Sequence, residues 1–305
     1  MSRLFIILST FLLSACATEN LYDDLSTSPP PIQKKTLKPQ ILGVAFGGGG
    51  VRGIMHLGVI KALMEEDITP DLVTGTSAGS IAAVMFASGM NYTDMENILL
   101  NVSSSDLADV VISSKGLING QKLSDWVNQH VNQTELDSMP IPVGITATNL
   151  NTLEPIVIRK GNVGHAVQAS SSIPGVFIPV ISNESVLVDG GLVSVVPINS
   201  AREMGANIVI AVDIYCGNTP KPTQAMGGDE ITFYSFRIMA CKLSKNEIQS
   251  ADVLIQPNFE PKTSGFFDYQ AKLDSINAGY AATKKAIPKI KELLGLPTFI
   301  ANTAP

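Results

Sequence analysis

The chain has 305 residues, of which 45% are hydrophobic and 16% charged, so it can bury a large core and is not a disordered protein. Lys and Arg number 21 against 27 Asp and Glu, and the net charge of −6 argues against a nucleic-acid binder, which would show a basic surplus. An acidic chain gains little from anionic lipid, so membrane attachment would need an apolar device. No apolar run in the sequence reaches the roughly 18 residues of a spanning helix.

Residues 1–15 have the pattern of a targeting segment. Arg3 is their only charge, and residues 4–13 form an apolar stretch that is too short to span a bilayer but suits a signal sequence. The stretch ends in Leu13-Ser14-Ala15-Cys16, which resembles a bacterial lipobox, where the cysteine is acylated and becomes the mature N-terminus. An ordinary secretory signal followed by a chance cysteine is the alternative.

A lipid on Cys16 would anchor the chain stably to a membrane. Ala17, rather than an aspartate, follows this cysteine, which favours sorting to the outer membrane of a Gram-negative cell. Residues 16–38 contain serines and three consecutive prolines and are predicted to form an extended tether. The sequence therefore predicts a lipid-anchored protein of the bacterial cell envelope.

Two cysteines remain when Cys16 carries a lipid. Cys216 and Cys241 could form a disulfide in an oxidising envelope. Two buried free thiols are equally compatible with the sequence, which does not give the distance between the two residues.

Apolar runs alternate with helical patterns over residues 39–296 and predict one α/β domain, followed by a tail over 297–305. Ile41–Phe46 is predicted as a strand that leads through glycines into a helix over 53–66. The same pattern recurs with the strand Asp71–Thr74, Ser77 and the helix Ile81–Ala87. Further strands are predicted at Val143–Thr148, Ile156–Ile158, Val186–Val188, Ile208–Val212 and Val253–Ile255, and helices at 121–131, 162–170, 197–204, 234–249 and 270–294. The alternation predicts a mainly parallel sheet with helices on both faces.

Gly75-Thr76-Ser77-Ala78-Gly79 fits the pattern G-x-S-x-G between a predicted strand and a predicted helix. A nucleophile on such a sharp turn needs neighbours without bulk, and two glycines and an alanine provide them. The turn would present the Ser77 hydroxyl at a helix N-terminus, where the helix dipole favours developing negative charge. Ser77 is therefore the candidate nucleophile.

Four consecutive glycines, Gly47 to Gly50, precede Val51, Arg52 and Gly53. Glycines let backbone N–H groups approach an anion closely. A phosphate-binding loop or a plain tight turn would use glycines too, but no Gly-Lys-Ser/Thr follows, and no ribose-binding acid follows at the next strand end. An oxyanion hole made by the N–H groups of Gly48, Gly49 and Gly50 fits better.

Ser77 needs a base, and the chain has three histidines. His56, His130 and His165 belong to no catalytic signature and are read as structural or solvated. Asp189-Gly190-Gly191 instead follows an apolar run, so its carboxylate falls at a strand end beside glycines that allow close approach. An ordinary Asp-Gly turn would look the same, and Asp213 and Asp252 also lie near strand ends, so position alone does not select Asp189.

The combination of motifs resembles the patatin-like phospholipases. The resemblance covers roughly residues 40–215. The segments that resemble the family are the glycine loop through His56 and Gly58, Gly75–Gly79, Ala169–Phe177, Asp189-Gly190-Gly191 with Val196-Pro197, and Ala206–Asp213. The resemblance implies a three-layer α/β/α fold. It also implies a Ser–Asp dyad, in which Ser77 attacks an ester carbonyl and Asp189 takes its proton and later activates water.

A carboxylate with a pKa of about 4 is a weak base, so the dyad requires a water-poor site. Arg52 is expected beside the glycine loop, where it either orients the glycines or contacts a lipid phosphate; a plain surface charge is the alternative. Residues 103–120, rich in Ser, are a candidate lid or entrance loop. Gly217–Asp229, with its prolines and glycines, is predicted to be a mobile loop.

The resemblance implies an acyl hydrolase that acts on glycerolipids, of the phospholipase A or lysophospholipase type. A short-chain esterase or thioesterase on the same dyad and a lipid-binding lipoprotein without activity are the alternatives. The three Cys and three His lack zinc spacing, and the chain shows no EF-hand pattern, so neither a metal nor a cofactor is expected.

Overall fold

A computed structural model describes five stretches of the chain, residues 20–24, 40–132, 134–217, 222–260 and 268–297. The predicted signal peptide, Cys16, most of the tether and residues 298–305 of the tail lie outside them. Among the described residues, no helix combines the length and the apolar composition that crossing a bilayer requires.

The described strands form one mixed sheet. They are Asn20–Leu21 (β1), Leu42–Phe46 (β2), Leu72–Thr76 (β3), Val143–Asn149 (β4), Glu154–Ile158 (β5), Val180–Ser182 (β6), Ser185–Asp189 (β7), Ile208–Val212 (β8) and Val253–Ile255 (β9). Their order across the sheet is β1-β6-β7-β4-β3-β2-β8-β9, with β5 paired to β4 outside this order. The central strands β4, β3, β2, β8 and β9 run parallel. β7 runs antiparallel to both β4 and β6, and β5 antiparallel to β4.

Helices cover both faces of this sheet. They are Met55–Glu65 (α1), Ala78–Ala87 (α2), Tyr92–Asn101 (α3), Ser104–Leu107 (α4), Gln121–His130 (α5), Val163–Ser170 (α6), Ile198–Glu203 (α7), Gly228–Leu243 (α8), Lys245–Gln249 (α9) and Tyr269–Leu294 (α10), with 3₁₀ helices at Gly50–Ile54, Leu136–Ser138 and Gly190–Leu192.

The core is divided by the sheet, as the alternation of side chains along β2 shows. Val44 and Phe46 pack into the cluster that contains α1, α2, α5 and α10, whereas Ala45 packs on the other side with Ile198 of α7 and Ile248 of α9. Successive side chains of a strand point to opposite faces, so a strand buried on both faces reads as a continuous apolar run. The three-layer α/β/α fold expected from the sequence is therefore present.

Residues 20–24 differ from the predicted tether. β1 pairs in parallel with β6 and so extends the edge of the sheet. The Asn20 side chain is buried, and its Nδ2 donates to the Asn119 carbonyl oxygen at 2.8 Å. The Tyr22 ring stacks on His165 with a centroid separation of 3.6 Å. The prediction of a tether over 16–38 is wrong for these five residues, since their polar and aromatic side chains find partners on the domain.

The segment after β8 also differs from its prediction. The helix predicted over 234–249 begins earlier, at Gly228, and breaks at Ser244 into α8 and α9. The predicted mobile loop Gly217–Asp229 therefore includes the first turn of α8, while residues 218–221 lie outside the described residues.

Cys216 and Cys241 form a disulfide, with 5.4 Å between their Cα atoms. This resolves the two possibilities that the sequence left open. Because Cys216 follows β8 and Cys241 lies in α8, the bond fastens α8 to the end of the central sheet.

Candidate active site

Ser77 lies on a tight turn between β3 and α2. Its backbone φ of 52° and ψ of −126° fall in a region that residues with a side chain rarely adopt. The flanking glycines have no room for a side chain, because a Cβ on Gly75 would lie 2.4 Å from the Gly79 carbonyl oxygen, and one on Gly79 would lie 2.1 Å from that of Phe46. The G-x-S-x-G spacing thus reflects close backbone packing around this serine.

Hydrogen bonds hold the strained turn in place. The Ser77 N–H donates to the Ser170 hydroxyl at 2.8 Å, and that hydroxyl donates to the Thr146 carbonyl oxygen at 2.6 Å. The Ser77 carbonyl oxygen accepts from both the N–H and the hydroxyl of Ser80. The sequence pattern does not point to Ser170 individually, although it belongs to the Ala169–Phe177 block.

Asp189 is the last residue of β7 and faces Ser77. The antiparallel pairing of β7 with β4 places Asp189 opposite Ala147, next to the end of β3. The Ser77 hydroxyl donates to Asp189 Oδ2 at 2.6 Å, while the Gly191 N–H donates to Oδ1 at 2.7 Å. Both carboxylate oxygens therefore have a donor that fixes their orientation.

Burial makes the Asp189 carboxylate a better base than a solvated aspartate. Ser77 and Asp189 are both buried. Loss of solvation raises the pKa of Asp189 to about 6, against the opposing effect of hydrogen bonds from the Ser77 hydroxyl and the Gly191 N–H. At pH 7 the group is still mainly ionised, but its proton affinity is higher than that of a solvated carboxylate. This meets the requirement for a water-poor site.

The glycine loop lies against Ser77, but its N–H groups are not equivalent. The Gly48 N–H donates to the Val195 carbonyl oxygen at 2.8 Å, so it is already used, and the prediction that it stabilises an oxyanion is wrong. Among the described residues, the N–H groups of Gly49 and Gly50 have no acceptor. Gly48 contributes its lack of bulk instead, since a Cβ there would lie 3.2 Å from the Ser77 Cβ.

Gly50 lies on the side of the glycine loop that no other described part of the protein covers. Its φ is 56°, and a Cβ built on it would meet no atom within 4 Å. The positive φ favours glycine, and Gly50 is exposed at the surface of the loop. Gly49 and Gly50 are thus the two predicted donors that have no backbone acceptor among the described residues.

Arg52 lies in the 3₁₀ helix that follows the glycine loop and is mostly buried. It donates to the Gly49 carbonyl oxygen at 3.4 Å and forms an ion pair with Glu260. Its guanidinium also lies 5.5 Å from the ring centroid of Tyr215. The alternative of a plain surface charge is therefore wrong, and these contacts favour the orientation of the loop as its role.

Tyr215 and Arg237 extend this cluster, and no sequence motif points to either residue. The Arg237 guanidinium lies 4.8 Å from the Tyr215 ring centroid, and its Nε donates to the Tyr215 carbonyl oxygen at 2.8 Å. Burial raises the pKa of Tyr215, the two arginines lower it, and the negative charge of Asp189 raises it further. Tyr215 is thus within electrostatic reach of Asp189, and the disulfide of the adjacent Cys216 fixes its backbone.

The histidines have structural partners. His56 is fully buried, and its Nε2 lies 2.7 Å from the Gly47 carbonyl oxygen. Burial lowers its pKa to about 4, so at pH 7 the ring is neutral, and its Nε2–H donates to that oxygen. His130 Nδ1 lies 2.7 Å from the Trp126 carbonyl oxygen, and His165 stacks on Tyr22. None of the three histidines therefore contacts Ser77. The group that can act as a base on Ser77 is the carboxylate of Asp189.

The other two candidate aspartates stabilise local structure. Asp213 accepts from the N–H groups of Tyr215 and Cys216 and so closes the turn after β8. Asp252 pairs with Arg202 and accepts from the Val209 N–H. Within the described stretches, no group of three or more His, Cys, Asp or Glu side chains is arranged to hold a metal ion.

An apolar pocket opens beside the catalytic turn, between α1, α2, α3, α4 and α5. Its cavity volume is about 60 Å³. Gly50 and Ala78 form the end next to Ser77, and Trp126 contributes from α5. The remaining lining residues are nearly all apolar: Gly53, Ile54, His56, Leu57, Ile60, Ile81, Ala82, Met85, Met95, Leu99, Val102 and Leu107.

An α/β sheet with a strained serine at a strand–helix turn, bonded to a buried carboxylate, is typical of serine hydrolases that act on ester bonds. The family model for patatin-like phospholipases matches residues 44–202, just over half of the chain. The chain belongs to the patatin-like phospholipase family.

Relatives of known sequence include an uncharacterized NTE family protein of Mycobacterium tuberculosis, which is 35% identical over 175 residues. A lysophospholipase NTE1 of Kluyveromyces lactis is 29% identical over 217 residues. These matches include 57% and 67% of this chain, but they span only 30% and 15% of the respective relatives.

Two solved structures are similar over most of the chain. VipD from Legionella pneumophila has a TM-score of 0.46 at 13% identity, and the match covers 91% of this chain and 72% of VipD. The type III effector protein ExoU has a TM-score of 0.42 at 14% identity, with 81% of this chain and 53% of ExoU covered.

Proposed function

We propose that this protein is a lipid acyl hydrolase of the phospholipase A or lysophospholipase type, with Ser77 as nucleophile and Asp189 as base. The observation that carries the proposal is the 2.6 Å hydrogen bond between the two buried side chains, beside free loop N–H groups and an apolar pocket. Membership of the patatin-like phospholipase family supports the same reaction class.

The first half of the reaction forms an acyl-enzyme. The Ser77 oxygen attacks the ester carbonyl carbon, while its proton passes to Asp189 Oδ2. The carbonyl oxygen gains the negative charge and accepts from the N–H groups of Gly49 and Gly50, which have no other backbone acceptor among the described residues. The tetrahedral intermediate then expels the alcohol oxygen, which takes the proton back from Asp189.

The second half releases the fatty acid. Asp189, ionised again, removes a proton from a water molecule, whose oxygen attacks the acyl carbon. The Ser77 oxygen leaves and recovers the proton from Asp189, so that the enzyme returns to its starting state. One water is consumed, and the products are a carboxylic acid and an alcohol.

The pocket favours a long acyl chain over a short one. Gly50 and Ala78, next to the reacting atoms, are part of its lining, and its wall is nearly all apolar. A short acyl group would leave most of that surface without a partner, whereas burial of each methylene of a longer chain gains about 0.8 kcal/mol. A short-chain esterase or thioesterase on the same dyad is thus the less favoured alternative.

We also propose that the chain is attached to the bacterial cell envelope through an acylated Cys16. The disulfide between Cys216 and Cys241 supports an oxidising compartment such as the envelope, since disulfides do not persist in a reducing cytosol. Radiolabelled palmitate should enter the full-length chain in its host and should not enter Cys16→Ser. Incorporation into Cys16→Ser would contradict this anchor.

The reaction is tested with full-length chain on phosphatidylcholine, lysophosphatidylcholine and a butyryl ester in parallel, with lipid products identified by mass spectrometry. Ser77→Ala should lower hydrolysis by about 10⁴ or more and abolish labelling by a fluorophosphonate. Ser105→Ala, on the exposed surface, is the matched control and should leave both unchanged. A Ser77→Ala protein as active as wild type would refute the proposal, and a wild type that binds lipid without any labelling would favour the inactive lipid-binding alternative.

A further inference from the structure

The loop between α4 and α5 exposes three apolar side chains, which include the two most exposed large hydrophobic residues among the described residues. Val110, Ile112 and Leu117 are 80%, 98% and 61% exposed. We call this segment, residues 110–117, the 110–117 loop. Apolar side chains exposed to this extent and grouped in one short segment are typical of an interaction surface.

The 110–117 loop has a defined backbone. The Val111 N–H donates to the Leu117 carbonyl oxygen at 2.9 Å, which closes the loop on itself. The N–H groups of Leu117 and Ile118 both donate to the Val176 carbonyl oxygen, at 2.8 and 2.9 Å. The apolar side chains therefore project from a backbone that is fixed to the domain.

The N-terminal part of the chain reaches the domain at the base of this loop. Asn20 Nδ2 donates to the carbonyl oxygen of Asn119, two residues after the loop. Leu21, the next residue of β1, is 62% exposed. Cys16 precedes Asn20 by four residues, which span at most about 14 Å even when fully extended. A lipid on Cys16 would therefore hold Leu21 and the loop close to the membrane surface.

The charge of the loop also suits a phospholipid surface. Lys115 is its only charged residue in a chain whose net charge is −6. The residue before the loop, Asp109, is half-buried and accepts from the N–H groups of Gly120 and Gln121 at 2.7 and 3.1 Å. The exposed tip thus presents apolar side chains and has no acidic residue that would repel a phospholipid surface.

The loop joins two elements of the apolar pocket. α4 ends at Leu107, and α5 contains Trp126, and both of these residues line the pocket beside Ser77. A lipid surface in contact with the loop would therefore lie next to the elements that form the pocket wall.

We propose that Leu21 and the 110–117 loop dock on a phospholipid membrane and insert Val110, Ile112 and Leu117 into its interface. This inference rests on the proposed function, which supplies the lipid substrate and the acyl anchor. The occupant is the membrane to which Cys16 is attached, because the chain reaches the domain beside this loop and the loop carries no acid.

Fluorescence quenching tests the insertion directly. The full-length anchored chain is reconstituted into phosphatidylcholine–phosphatidylglycerol vesicles, with Ser77→Ala to prevent hydrolysis and Trp126→Phe to remove the chain's one tryptophan. Emission from an added Ile112→Trp should fall by roughly half when the acyl chains are brominated, because the indole would lie at the acyl boundary. Leu254→Trp, on β9 at the opposite edge of the sheet and 38% exposed, should not change.

Two results would overturn the inference. Equal quenching at positions 112 and 254 would show that the contact is not specific to the loop. No quenching at position 112 would show that the loop faces water or a second copy of the chain instead of lipid.

Hydrolysis provides a second test. Val110→Ser with Ile112→Ser should lower hydrolysis of vesicle phospholipid by about tenfold, because less apolar surface enters the membrane. A soluble butyryl ester should be hydrolysed at the wild-type rate, since neither residue contacts the site. Leu254→Ser, on β9 at the opposite edge of the sheet, is the matched control and should leave both rates unchanged.

The outcomes separate docking from catalysis. Equal losses on vesicle and soluble substrate in the double variant would contradict docking and point to damage of the site. If the wild-type chain showed no Ser77-dependent hydrolysis of either substrate, the proposed function would fail, while the quenching experiment would still decide whether the loop inserts.

Discussion

The hydroxyl of Ser77 donates a 2.6 Å hydrogen bond to the carboxylate of Asp189 across 112 positions of the chain. Two strand ends bring the residues together: Ser77 follows β3, and Asp189 ends β7, with β4 between these strands in the sheet. Because β7 runs antiparallel to β4, its carboxyl end stops opposite the middle of β4 and points the carboxylate toward the serine. The dyad is therefore a product of the mixed topology of the sheet.

Replacement of Asp189 by asparagine tests the base. The amide of Asp189→Asn can keep a hydrogen bond to Ser77 but cannot take a proton at neutral pH. We expect kcat/KM on a phospholipid to fall by about 10⁴, nearly as far as in Ser77→Ala, because the two groups act as a unit. Asp137→Asn, on the exposed surface, should be unchanged. A variant at position 189 that retained a tenth of wild-type activity would rule out this carboxylate as the base.

The activity should rise with pH through the pKa of Asp189. The base must be ionised to accept a proton, and burial raises its pKa to about 6. Below pH 6 the protonated form dominates in the folded protein, so kcat/KM should fall about tenfold for each further pH unit. Initial rates on a soluble ester between pH 4 and 8 would show this. A limb centred near pH 4 would mean that the carboxylate is well solvated in the working enzyme.

The parts of the fold that the sequence predicted are those with strong local patterns. Ile208–Val212 was predicted with its observed bounds, because a strand buried on both faces is apolar without interruption. β1 was missed, since two residues carry no periodicity and depend on pairing with β6. The helix Tyr92–Asn101 was missed as well, and just one of its residues, Met95, is buried.

The candidate site divides in the same way. Ser77 follows from its G-x-S-x-G motif, because the strained turn leaves glycines in the sequence, whereas Asp189 is selected over Asp213 and Asp252 only by the combination of motifs that resembles the family. The Gly48 N–H donates to the Val195 carbonyl oxygen, which lies in a distant segment of the chain, so no local sequence pattern could indicate this hydrogen bond. Tyr215 is likewise placed by β8, the disulfide and two arginines from other parts of the chain.

The apolar pocket should set the preferred acyl-chain length. Ala82 lines the pocket from α2, so Ala82→Leu would fill part of it and shorten the preferred chain. Met85→Ala, one turn further along α2, should shift the preference toward longer chains. The ratio of kcat/KM for palmitoyl and butyryl esters measures both effects. We expect this ratio to change roughly tenfold, in opposite directions in the two variants, because a difference of a methylene or more in an apolar pocket changes discrimination by about that factor. Equal ratios in wild type and both variants would show that the acyl chain lies elsewhere.

Loss of the disulfide should loosen the cluster that supports the glycine loop. The bond closes a loop over a sequence separation of 25, and removal of such a constraint from the unfolded chain costs about 3 kcal/mol of stability. In Cys216→Ser with Cys241→Ser, α8 stays linked to the end of β8 through the contacts of Arg237 with Tyr215 and Glu260. Because these contacts are weaker than a covalent bond, we expect a folded variant with a lower urea midpoint and a reduced kcat.

The reductant response provides the control for that prediction. Dithiothreitol should lower the urea midpoint of the wild type to that of the double serine variant and should leave the variant unchanged, since it has no bond to reduce. A fall in kcat without a fall in stability would place the effect at Tyr215 and Arg52, next to Gly49. A wild type whose urea midpoint and kcat both ignored the reductant, while free-thiol titration proved the bond reduced, would show that packing alone holds α8 in position.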